Sequence, residues 1–110
     1  MKAAVLLKSG PGTDNAERAL QTVRDMLDAG HGVSLFLLQE GVRFCDTKTA
    51  RTEAEGLEAL AGMGLDIHVL TRDAALRGMN TESTGNLFTG GSYESLVDLM
   101  ASCDRVVGIL

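Results

Sequence analysis

Short, nearly unbroken apolar runs constrain this chain more than any other feature. Residues 3–7, 33–38, 67–70 and 106–110 each carry one, interrupted at most by a single small or polar residue. A strand with one wet face alternates apolar and polar side chains, whereas a strand covered on both faces reads as a continuous apolar run. These four segments therefore read as strands of a buried, parallel sheet.

The stretches between them carry helical spacing. After "KSGPGTDN", which holds two glycines and the only proline, Ala16, Leu20, Val23, Met26 and Leu27 recur on one helical face. Asp14 and Glu17 have the spacing of a capping box, and Gly30 is placed to end the helix. A second helix is expected over residues 52–61, with Thr52 and Glu55 as a capping box and Leu57 and Leu60 on its apolar side. Gly90-Gly91-Ser92 leads into another, with Ser92 as N-cap and Tyr93, Leu96, Val97 and Met100 facing inward. The segments after the second and third runs read as polar turns. Strands alternating with amphipathic helices imply a small flavodoxin-like α/β domain: a parallel sheet of four or five strands with helices on both faces.

With 110 residues and no linker or repeat, the chain is expected to be one domain over residues 1–110. A hydrophobic fraction of 45% argues against disorder. Ten basic residues against fifteen acidic ones give a net charge of -5, which supplies no basic stripe for nucleic acid. Two distant cysteines, Cys45 and Cys103, make neither a disulfide framework nor a zinc site, and suit a reducing cytoplasm. The opening "MKAAVLLKSG" has a lysine followed by apolar residues, but the run stops at Lys8, too short for a signal peptide core or a membrane span.

In open parallel sheets, ligands bind beyond the carboxyl ends of the strands. Three loops qualify here: residues 8–15, 39–45 and 71–78. The first offers Ser9, Gly10, Gly12 and Thr13 beside a helix N-terminus that attracts anions. It lacks the Gly-Lys pair of the phosphate loop, and it misses GxGxxG because Asn15 stands at the last glycine position. The competing role is a plain strand-to-helix turn. Gln39 and Glu40 in the second loop, and Arg72 and Arg77 in the third, complete the ligand-binding candidates; Asp73 joins the two arginines in a polar cluster. Cys45 is the candidate nucleophile if a helix N-terminus activates it, with an inert structural thiol as the alternative. Cys103 reads as core. His31 and His68 lack partners at metal spacing, so no metal ligand and no cofactor is assigned.

Taken in order, the Gly-Pro-Gly-Thr loop, "LLQEGV" after the second strand, "LRGM" after the third, and "GGSYESLVDLMASCDRVVGIL" resemble the DsrE/DsrF-like family, which includes the TusD-type sulfur-relay subunits. The resemblance spans nearly the whole chain. It implies trimers or hexamers, other sulfur-relay proteins as partners, and a persulfide-carrying cysteine in the loop after the third strand. Counted back from Leu76-Arg77-Gly78, that cysteine falls on Leu70, and the second cysteine of two-cysteine members falls near Asp73. Leucine cannot hold a sulfane atom.

The first expectation is therefore a non-catalytic binding or assembly subunit associated with intracellular sulfur transfer. The alternatives are a sulfurtransferase using Cys45 as a relocated persulfide carrier, and a small-ligand-binding flavodoxin-like protein, weakened by a single Tyr and no Trp to stack on a flavin. Phe36, Phe44 and Phe88 are expected to exceed what a small domain buries alone, which favours a homo-oligomer.

Overall fold

The computed structural model describes residues 1–46, 51–79 and 87–109. In chain order the elements are β1 (Lys2–Leu7), α1 (Asp14–Asp28), β2 (Gly32–Leu37), a 3-10 turn (Gln39–Cys45), α2 (Arg51–Gly62), β3 (Asp66–Leu70), α3 (Thr71–Leu76), β4 (Thr89–Gly91), α4 (Tyr93–Ser102) and β5 (Arg105–Ile109). The five strands form one sheet in the order β4-β3-β2-β1-β5, and every pairing is parallel. The flavodoxin-like α/β expectation holds, with five strands.

Strand order decides which face each helix covers. From β1 to β4 the chain advances in one direction, and it then crosses back to place β5 on the far side of β1. Crossovers keep one hand, so reversing direction moves the helix to the opposite face. Val5, Leu7, Leu35, Leu37, Ile67 and Val69 accordingly pack with Ala16, Ala19 and Val23 of α1 and with Leu57 and Leu60 of α2. A smaller core on the other face joins Phe36 and Leu70 to Leu96 of α4.

Several local expectations are corrected. The α1 cap is Thr13, whose hydroxyl accepts from the Ala16 amide, so Asp14 and Glu17 both lie in the first turn instead of forming a box. Thr52 is likewise inside α2, which starts at Arg51. Ser92 does cap α4, in a reciprocal arrangement with Ser95. The inward face of α4 differs from the expected one: Leu96 is buried, but Tyr93, Val97 and Met100 are exposed by 53%, 63% and 37%. The helix carries two apolar stripes about 100° apart, and the sheet takes only the one containing Leu96 and half-buried Leu99. Cys103, at the C-cap of α4, is half-buried and not core. Phe36, Phe44 and Phe88 are all buried within the chain, so they do not call for a partner.

β1 sits between β2 and β5, and its carboxyl end receives the 3-10 turn at very close range. An added Cβ on Gly41 would lie 2.3 Å from the Leu7 carbonyl oxygen, so this position tolerates no side chain without moving backbone. A Cβ on Gly56, inside α2, would meet nothing within 4 Å among the described residues outside its own helix backbone. Gly41→Ala is expected to cost about 2 kcal/mol or more, and Gly56→Ala to gain about 0.5–1 kcal/mol. Urea unfolding of both variants beside the wild type checks the opposite signs.

Candidate functional site

The carboxyl ends of β1, β2 and β3 bring together the 3-10 turn, the loop after β1 and helix α3. Leu38 donates its amide to the Leu7 carbonyl at 3.1 Å, and Gly41 donates to Lys8 at 3.0 Å, which pins the turn to the end of β1. Between them Gln39 takes φ of 50°, the left-handed region that non-glycine residues seldom occupy. Its amide donates to Oδ2 of Asp73 at 2.6 Å, a bond that holds the strained residue in place. Asp73 is buried, and this contact gives its carboxylate the hydrogen bond that burial demands.

One step further out, Glu40 accepts from the Nε of both Arg43 and Arg77, the latter at 3.0 Å. Arg77 is turned toward it by a second bond, Nη1 to the Asp73 carbonyl oxygen at 3.2 Å. Hydrogen bonding from Arg43, and then from Arg77, holds the Glu40 carboxyl below its ordinary value of 4.5. Gly10 closes the group on the other side, since a Cβ there would come within 3.3 Å of the Glu40 carbonyl oxygen.

Of the residues singled out from sequence, the structure thus gathers Gly10, Gln39, Glu40, Asp73 and Arg77. Thr13 is occupied as a cap and by donating its hydroxyl to the Gly10 carbonyl oxygen at 2.8 Å. Gly12 supplies the positive φ of the turn, Ser9 is half-buried, and Arg72 is exposed at the start of α3. Arg43 is not among the residues singled out from sequence, although its spacing of three from Glu40 within a helical turn is a usable signal. The pairing of Gln39 with Asp73 has no such signal.

Leu70 and Cys45 are both closed to solvent. Leu70 ends β3 in the N-cap position of α3 and is fully buried in the core with Phe36 and Leu96. Cys45 ends the 3-10 turn, away from the amide-rich terminus that would favour a thiolate, and burial pushes its thiol up to about 12. His68 stacks on Phe36 with ring centroids 5.8 Å apart and planes 8° from parallel. Among the described residues, no group of three or more His, Cys, Asp or Glu side chains is placed to hold a metal ion. No helix among them is long and apolar enough to cross a membrane.

Because the folded value of Glu40 lies below its ordinary one, its ion pairs add to stability above pH 4.5 and are lost as pH falls through the folded value. Wild type should melt slightly above Glu40→Gln near neutral pH, and the difference should close as the pH is lowered through the acid range below 4.5. Paired thermal scans across that range check it, and a pH-independent difference would remove the charge from the account.

No curated protein sequence matches the chain. Among solved structures, the ychN protein from E. coli aligns with a TM-score of 0.77 at 16% identity, covering 98% of each chain, and so shares the fold. The model of the DsrE/DsrF-like family matches residues 1–108. At the level of the family, that match suggests involvement in sulfur relay. This chain belongs to the DsrE/DsrF-like family.

Proposed function

We propose that the protein is a non-catalytic binding or assembly subunit of DsrE-like type, acting in the cytoplasm alongside other proteins of sulfur transfer. The observation that carries this reading is the side chain at the end of β3. By resemblance the persulfide carrier belongs there, and the chain has Leu70, aliphatic and fully buried. A carrier needs an accessible thiolate that can attack a donor sulfur and later release it. Cys45 offers a buried thiol held protonated far above neutral pH. Cys103 precedes β5 at the amino edge of the sheet, opposite the loops that form the candidate site.

An assembly role also needs a surface. Tyr93, Val97 and Met100 form an exposed stripe on α4, and Val106 of β5, 39% exposed, lies on the same side of the sheet. Apolar side chains grouped in this way favour association. We read the stripe as the self-association face of a homo-oligomer, a trimer or hexamer as the resemblance implies.

Two measurements follow. After incubation with a cysteine-desulfurase persulfide donor, peptide-mapped mass spectrometry should find no added sulfur on the wild-type protein. A gain of one sulfur on Cys45, lost in Cys45→Ser, would make Cys45 a relocated carrier and overturn the reading. Light scattering at micromolar concentration should give a trimer or hexamer, with Val97→Asp shifting it toward monomer while the helical signal persists. A wild-type monomer would remove the assembly role.

A further inference from the structure

We propose that Arg43 and Arg77 form a receptor for one oxyanion, and that Glu40 is its built-in occupant, with which an incoming anion competes. The two Nε donors address different oxygens of the same carboxylate, Arg43 on Oε2 and Arg77 on Oε1. Their spacing therefore fits any group that presents two oxygens from one centre, as carboxylate and phosphate both do.

Further observations favour an external anion over a closed ion pair. The two guanidinium groups share the one Glu40 carboxylate. The carboxylate of Asp73, on the neighbouring helix, is bonded instead to the Gln39 amide. Arg77 is also held in place before any ligand arrives: its side chain is only 21% exposed, and its Nη1 is bonded to the Asp73 carbonyl oxygen. Glu40, by contrast, is about half-exposed, and exposed ion pairs contribute little, so its carboxylate can be displaced without disturbing the fold. The cluster lies beyond the carboxyl ends of the strands, where open parallel sheets receive ligands. With Glu40 displaced, the two guanidinium groups together match a dianion better than a monoanion, which places a phosphate-type group ahead of a simple carboxylate.

The test is titration with inorganic phosphate and, separately, with acetate, followed through the arginine Nε–H signals in 15N spectra of the full chain. Glu40→Gln, which removes the competing charge and keeps the shape, should bind phosphate about three- to tenfold more tightly than the wild type. Arg77→Gln and Arg43→Gln should each lose the saturable shift, and the exposed Arg43 variant settles the matter if Arg77→Gln proves unstable. Phosphate ahead of acetate assigns a phosphorylated ligand, and acetate equal to phosphate assigns a carboxylate-bearing one. Unchanged affinity in Glu40→Gln, or retained binding in Arg43→Gln, would overturn the proposal. A purely structural triad gives the opposite pattern, because removing Glu40 would then weaken the site.

Discussion

Five parallel strands present two apolar faces, and both must be removed from water by a chain of only 110 residues. Most of the architecture follows from how that demand is divided. Two helices, α1 and α2, cover the larger face, and their apolar sides meet the inward residues of β1, β2 and β3. Among the described residues, a single ten-residue helix, α4, packs on the other. That asymmetry leaves Phe36, Leu70 and Leu96 as the centre of the thinner layer, so the residue that ends β3 is also a core residue. Its chemistry and its packing cannot be changed independently.

The same division explains what is legible in the sequence. β1, β2, β3 and β5 can be read there because burial on both faces writes a continuous apolar run. β4 cannot: Thr89-Gly90-Gly91 has no large apolar residue, and its strand pairing is with β3 at the edge of the sheet. α3 reads as a turn because it begins directly after β3, with Leu70 in the cap position and no side-chain cap bond to mark the start. On α4 the apolar residues are visible, but spacing alone does not say which of two neighbouring stripes meets the sheet.

At the site, local spacing reaches as far as neighbours on one turn and no further. Glu40 and Arg43 lie three residues apart, whereas Gln39 and Asp73 are separated by 34 positions and Glu40 and Arg77 by 37. Those pairings exist only because β2 and β3 are adjacent and parallel, so that the segments leaving them emerge side by side. The sheet thus makes the cluster, and in sequence its members stand only as separate polar residues on different loops. Family membership adds the expectation of sulfur relay at the level of the family.

The pairing of β5 with β1 has a consequence for how the chain is made. β1 spans residues 2–7 and is synthesised long before β5, yet one of its edges stays open until residues 105–109 arrive to fill it. The Lys2 amide bonds to the Asp104 carboxylate, and the Asp104 amide to the Lys2 carbonyl, between residues 102 positions apart. Contacts this distant in sequence close slowly, and an unpaired apolar strand is a template for the wrong neighbour in the meantime. A nascent chain of this protein therefore carries an open, sticky edge until β5 is complete, and a stall shortly before residue 105 would leave β1 unpaired on one side.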